Sequence, residues 1–253
     1  MFFPRPEKWK RRKGEPLPWR DLYEKRLAQV RHLLLREFYQ AGVVDAGTAL
    51  ADVPMVALDF ETTGFDPDKD AIVSIGLVPF TLRRIFSSRG QYWVVNPGKR
   101  LKKESVVFHR ITHSEVQERP DLSEVLPGLI TAMTQSVVVV HYRQIERRFL
   151  DAAVRQRWEE GFIFPVIDTM DIEARLHRQD DKGWWARLKA HLAARLLGRD
   201  RQSLRLAASR TRYNLPVYSP HHALTDALAT AELFQAQAAW HFTPQTPVSD
   251  LWR

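Results

Sequence analysis

The chain has 253 residues, enough to bury one substantial core, and one or two domains is the prior at about that length. Its 38 Lys and Arg outnumber 30 Asp and Glu, and the resulting formal charge of +8 favours polyanionic partners without choosing DNA or RNA. The absence of cysteine excludes a disulfide framework and a thiolate metal site and suits a reducing cytoplasm. No run reaches the roughly 18 apolar residues of a membrane helix, and no signal-type apolar stretch follows the basic N-terminus, so a soluble cytoplasmic protein is expected.

Residues 1 to 19 mix Lys8, Lys10, Arg11, Arg12 and Lys13 with Phe2, Phe3, Trp9 and prolines, a composition that reads as a basic arm. From Arg20 to about Gln40, Leu22, Leu27, Val30, Leu33, Leu34 and Phe38 recur at helical spacing, which predicts one amphipathic helix stopped at Gly42. Val53 to Phe60, Ala71 to Phe80 and Gln91 to Val95 read as successive strands that begin an antiparallel sheet. A short helix from about Leu122 to Ala132 leads to Val137 to Val140, an apolar run suited to a strand covered on both faces. A helix starting near Gln144 follows, then a strand from Phe164 to Asp168. Trp184, Trp185, Leu188, Leu192, Leu196 and Leu197 suggest an inserted helix, more in keeping with packing than with binding. Ser203 to Tyr213 and Ala223 to about Trp240 complete a mixed α/β pattern.

The residues that carry chemistry cluster in two places. Val-Ala-Leu-Asp-Phe-Glu-Thr-Thr-Gly, residues 56 to 64, ends an apolar run with Asp59 and Glu61, and on a strand that spacing puts both carboxylates on one face. His-His-Ala-Leu-Thr-Asp-Ala, residues 221 to 227, places His221 and Asp226 five positions apart before an Ala-rich helical pattern. Phosphodiester hydrolysis needs an activated water and a stabilised leaving oxygen, and two divalent ions about 3.5 to 4 Å apart can supply both. Hard oxygen ligands suit Mg²⁺ or Mn²⁺.

These segments resemble the DnaQ-like 3′-to-5′ exonucleases of the DEDDh type. Asp59 to Gly64 matches the family's Asp-x-Glu-Thr-Thr-Gly, and His221 to Ala227 matches His-x-Ala-Leu-x-Asp-Ala. The second motif, His-Asn-x-x-Phe-Asp-x-x-Phe-Leu, corresponds to His141-Tyr-Arg-Gln-Ile-Glu-Arg-Arg-Phe149-Leu150, with Glu146 in place of the second Asp. Phe108 to Thr112 resembles the His-Gly-Ile-Thr loop, and Val166 to Thr169 a strand end reading Asp-Thr. The resemblance covers roughly residues 52 to 240.

It implies an RNase H-like α/β fold, a central mixed sheet of about five strands flanked by helices. The division it implies is an extension over 1–51, an exonuclease domain over 52–243 and a short tail over 244–253. Asp59 would bridge two Mg²⁺ or Mn²⁺ ions, Glu61 and Asp226 would hold the nucleophile-side ion, and His221 would be the general base, a role suited to an imidazole of ordinary pKa about 6.5. Thr62, Thr63 and Gly64 would contact the 3′ end of a single-stranded nucleic acid, DNA favoured and RNA allowed. Tyr142 would stack on a base or serve as a core ring. Glu146 reads either as a metal ligand with one extra methylene or as part of a solvated helix face beside Arg147 and Arg148. His109, His113 and His222 are read as structural. A non-catalytic or attenuated nucleic-acid-binding scaffold of the same fold is the competing function. Residues 245–252, Gln-Thr-Pro-Val-Ser-Asp-Leu-Trp, loosely resemble sliding-clamp-binding peptides, and the oligomeric state is left open.

Overall fold

The computed structural model describes residues 17–99, 111–180 and 203–253. The N-terminal basic arm, His109 with most of its loop, and the segment bearing Trp184 and Trp185 lie outside the described residues. In chain order the helices are α1 (Trp19–Leu27), α2 (Leu33–Gln40), α3 (His113–Gln117), α4 (Leu122–Met133), α5 (Gln144–Trp158), α6 (Thr169–Asp180), α7 (Leu206–Arg212) and α8 (Ala223–His241). The strands are β1 (Met55–Thr62), β2 (Ile72–Phe80), β3 (Gln91–Val94), β4 (Val137–Val140) and β5 (Val166–Asp168).

They form one mixed sheet in the order β3-β2-β1-β4-β5, as the resemblance implies. β1, β2 and β3 pair antiparallel, while β4 runs parallel to β1 and β5 parallel to β4. The parallel half explains the all-valine β4: helices cover both faces of such a strand, so every residue is buried and no polar alternation survives. On β1 the alternation appears only at the end, where buried Val56, Ala57 and Leu58 give way to half-buried Asp59 and Glu61.

α8 packs across β1 and β2, and its start reaches the sheet through Gly76. Gly76 pairs with Asp59 across the β1–β2 ladder, and a Cβ there would sit 2.2 Å from the Ala223 backbone. Only a residue without a side chain lets α8 land on the strand opposite Asp59. That landing brings Asp226, one turn into α8, to the end of β1.

Two stretches differ from the sequence expectation. The single helix expected from Arg20 to Gln40 is two, because the chain turns between Ala28 and His32. Glu160 Oε1 accepts the Arg31 and His32 backbone N–H groups at 2.7 and 3.1 Å, and the His32 ring stacks on Trp158 at 3.8 Å. A distant part of the chain thus satisfies N–H groups that a continuous helix would keep internal. Trp19, Tyr23, Leu35, Phe38 and Tyr39 join the main core, where Phe38 meets Phe162 edge-on.

The other difference is the C-terminal segment, whose Leu251 and Trp252 are buried in the main core. Trp252 bridges Ile167, and Arg253 exchanges both backbone hydrogen bonds with Val166, extending the sheet beside β5. The apolar end of the clamp-like peptide is therefore occupied within the fold, and in this conformation it cannot serve as a free recognition peptide.

Candidate active site

Asp59, Glu61 and Asp226 each place a carboxylate oxygen within 4.8 Å of the others. β1 supplies the first two because residues two apart on a strand share a face, and α8 supplies the third. Glu146, in the first turn of α5, stands beside this trio and adds its charge to that of Asp226 and Glu61 around Asp59. No Lys or Arg pairs with any of the four among the described residues.

The consequence is a strongly anionic pocket. Burial, then the charges of Asp226, Glu146 and Glu61, push the Asp59 carboxyl well above its ordinary range. Burial and Asp226 push Glu61 up to about 7. Burial also raises Glu146, helped by Asp168, and Asp226, although the latter is partly held down by Tyr218 and by the backbone of His221 and His222.

Glu146 is only 2% exposed, and its Oε2 is buried with no hydrogen-bond partner. The solvated-helix-face reading is thereby excluded. Its neighbour Arg147 turns away, donating to the Phe164 carbonyl at 2.6 Å and lying over the Trp19 ring. A buried carboxylate oxygen without a donor is costly unless something cationic completes it. Oxygen-only donors, mutual repulsion and this orphaned oxygen together fit hard divalent cations.

His221 is exposed and adopts the left-handed backbone region at φ 70°. That turn lets its backbone N–H and that of His222 converge on Asp226 Oδ2 at 2.7 and 3.1 Å. The His221 ring lies near enough to depress the Asp226 carboxyl. The His222 ring instead stacks on Tyr92 at 4.4 Å.

The turn after β1 is braced internally. Thr62 Oγ1 donates to the Gly64 carbonyl at 2.6 Å. Thr63 is 3% exposed, and its hydroxyl donates to Asp70 Oδ1 while accepting from the Ala71 N–H. The Thr63 hydroxyl thus braces the turn from within. A Cβ on Gly64 would collide with the Asp70 carboxylate, so glycine is needed for this packing. Tyr142 is 44% exposed, not a core ring, and sits at φ 90°.

In the sequence Asp168 stands out only as a strand end. It organises the second motif: its oxygens accept the backbone N–H groups of Tyr142 and Arg143 at 3.0 and 3.1 Å, as well as the Arg143 guanidinium. It also accepts from Met170 and Asp171 at the start of α6. This one carboxylate holds the strained Tyr142 turn and aims α5, with Glu146, at β1. His141, half-buried and held between Thr169 Oγ1 and the Leu204 carbonyl at 2.8 Å each, is kept below its ordinary pKa by desolvation.

A five-stranded mixed sheet with an acidic cluster at the end of its central strand defines the class as a nuclease-like α/β domain. The Exonuclease (RNase_T) family matches residues 56–234, and the chain belongs to that family, in its DnaQ-like branch. It is 27% identical over 187 residues to a PolC-type DNA polymerase III of Thermotoga maritima, an alignment covering 74% of this chain and 12% of the polymerase. The chain thus spans about an eighth of the PolC-type polymerases it matches. It is 24% identical over 189 residues to the DNA polymerase III epsilon subunit of Treponema pallidum, covering 75% of this chain and 78% of that subunit. Exonuclease X in complex with 5′-overhanging duplex DNA shares the fold at a TM-score of 0.53 and 21% identity, over 78% of this chain and 99% of that one.

The raised carboxyls couple cation binding to pH. Glu61 ionises near 4.5 in an unfolded chain and near 7 here, so between those values the folded protein binds more protons than the unfolded one. Without cations, the stability contributed by Glu61 is full below about pH 4.5 and declines as pH rises through about 7. Divalent ions need the ionised carboxylates and displace those protons. Saturating Mn²⁺ is therefore expected to raise the melting temperature little at about pH 5.5 and clearly more at about pH 8. Scanning calorimetry at both pH values checks this, and an equal shift at both would contradict the coupling.

Proposed function

We propose that the protein is a divalent-cation-dependent 3′-to-5′ exonuclease that removes nucleoside 5′-monophosphates from single-stranded nucleic acid, with DNA the favoured substrate. The observation that carries this reading is the convergence of Asp59, Glu61 and Asp226 within 4.8 Å, with His221 at their edge. Membership of the exonuclease family and the polymerase III relatives support it.

Asp59, Glu61, Asp226 and Glu146 would hold two Mg²⁺ or Mn²⁺ ions, which when bound supply positive charge to the attacking water and the leaving oxygen. His221 accepts the proton of the attacking water, and its exposed position lets it pass that proton to solvent. The Thr62 to Gly64 turn presents backbone to the terminal nucleotide. Tyr142, exposed and fixed by Asp168, offers a ring on which an unpaired base stacks, a contact worth about 1 to 3 kcal/mol.

Matched DNA and RNA oligonucleotides with free and blocked 3′ ends test the proposal. Stepwise shortening of free-ended strands is expected with Mg²⁺ or Mn²⁺, faster on DNA, and none in EDTA. Digestion of blocked or circular strands would overturn the exonuclease reading, and a lack of cleavage with either ion would favour a binding scaffold.

A further inference from the structure

The loop that joins β2 to β3 gathers Arg83, Arg84 and Arg89 around Phe86, outside all three motifs. The three arginines are exposed, and among the described residues no carboxylate pairs with any of them. The half-buried Phe86 ring holds two of the guanidinium groups, with the Cζ of Arg84 5.3 Å and that of Arg89 5.1 Å from its centroid.

The backbone fixes this arrangement. Thr81 Oγ1 accepts the Arg83 and Arg84 N–H groups at 3.3 and 3.2 Å, and the Phe86 N–H donates to the Pro79 carbonyl at 3.0 Å. Ser87–Arg89 closes the loop as a 3₁₀ turn, and from α8 the Gln235 side chain donates to the Thr81 carbonyl at 2.9 Å. A single exposed arginine needs nothing but water. Like charges gathered on one ring repel each other, and an anion relieves that repulsion. A guanidinium over a ring also offers a planar fork of N–H donors that matches phosphate.

Strand register sets the distance from the acidic cluster. Gly76 pairs with Asp59 on one side and with Tyr92 on the other, so Tyr92 lies two strand spacings, about 10 Å, from Asp59. His222 stacks on that Tyr92 ring, and a Cβ on Gly90 would come within 3.1 Å of Leu224 Cδ1, so the end of the loop abuts the first turn of α8. Arg89 precedes Tyr92 by three residues, which keeps its backbone within about 20 Å of Asp59. At about 3.4 Å of stacked strand per phosphate, that distance is roughly six nucleotides. A strand whose 3′ end occupies the acidic cluster is long enough, a few nucleotides upstream, to lay its phosphates on the arginines.

We propose that Arg83, Arg84 and Arg89 form a phosphate-binding surface for the upstream part of a single-stranded nucleic acid whose 3′ end lies at the acidic cluster. The proposal rests on reading single-stranded nucleic acid as the substrate, and binding measured without cleavage tests it apart from the chemistry.

The measurement is fluorescence anisotropy of a labelled oligothymidylate of about 20 nucleotides with the full chain in EDTA, across a KCl titration. The combined Arg83→Gln, Arg84→Gln and Arg89→Gln protein is expected to bind about tenfold or more weakly at low salt. Its slope of log affinity against log salt is expected to flatten by about 2, because each phosphate contact on a single strand contributes about 0.7. Arg20→Gln, Lys25→Gln and Arg36→Gln together remove the same charge from exposed positions on α1 and α2, which pack by the β5 end of the sheet, and are expected to leave binding as in wild type. Mn²⁺-dependent hydrolysis of the p-nitrophenyl ester of thymidine 5′-monophosphate, which has no upstream strand, is expected to be the same in the loop variant and the wild type.

Equal weakening in both triple variants would reduce the effect to net charge and overturn the proposal. Wild-type affinity in the loop variant would overturn it as well and leave the arginines to an acidic protein. Loss of ester hydrolysis in the loop variant alone would place the effect in the cation site, again against the proposal. If even the wild type hydrolyses neither the ester nor the oligonucleotide while the salt slopes still differ, the exonuclease reading falls and the phosphate-binding surface stands.

Discussion

An Asp59→Asn protein is expected to lose turnover by roughly three orders of magnitude and yet to melt at a higher temperature than wild type when divalent cations are absent. Both effects come from one position. Asp59 follows the buried first half of β1, and burial with the charges of Asp226, Glu146 and Glu61 makes its ionised form unfavourable without cations. An amide of the same shape removes one member of that repelling set. It also removes a donor that every cation in the cluster would share, and cationic stabilisation of the reacting oxygens is worth several kcal/mol, at 1.36 kcal/mol for about each tenfold in rate. Calorimetry in EDTA and digestion of a 5′-labelled oligonucleotide with Mg²⁺ measure the two sides. A protein that melts lower and still digests at the wild-type rate would show that Asp59 serves the fold and not the chemistry.

What the sequence disclosed and what it hid follow from the range of the interactions. β4 was readable because four consecutive valines leave no other comfortable environment than a doubly covered strand. The start of α5 at Gln144 and of α8 at Ala223 was equally visible, since the helical periodicity begins there. The break between α1 and α2 was not, because its cause is Glu160, more than a hundred residues away, accepting the Arg31 and His32 N–H groups. The same holds for Trp252, whose place beside β5 is decided by pairing with Ile167 and not by the proline-rich segment leading to it.

Within the site, Asp59, Glu61 and Asp226 were found through the pattern of their neighbours, and the structure brings them together. Gly76 offered a weak local signal, an isolated glycine in an apolar run, which marks close backbone approach; the approaching element could be identified only from the fold. Asp168 offered less. Its role depends on which turn packs against which strand end, and neither spacing nor composition records that.

Glu146 is where this chain leaves the family pattern, and its burial sets up the second large effect. At a solvated helix face Glu146→Ala would cost little, since exposed ion pairs are typically worth about 0 to 1 kcal/mol. Here the side chain is buried, Oε2 has no donor, and its charge reaches Asp59. Glu146→Ala is therefore expected to lower turnover about a hundredfold, the scale on which a displacement of about 1 Å matters in a preorganised site, and to raise the Mn²⁺ concentration needed for half-maximal rate. Glu146→Asp restores the charge with a shorter reach, so it is expected to keep measurable turnover while shifting the Mg²⁺ or Mn²⁺ requirement. The first turn of α5 favours a negative charge at this position whatever its length, through the partial positive charge of the helix start. That common contribution cancels between Glu146 and Asp, leaving reach as the variable that the pair of substitutions isolates. A wild-type rate and an unchanged Mn²⁺ titration for Glu146→Ala would remove this carboxylate from the cation site and leave it as a buried acid kept neutral by its surroundings.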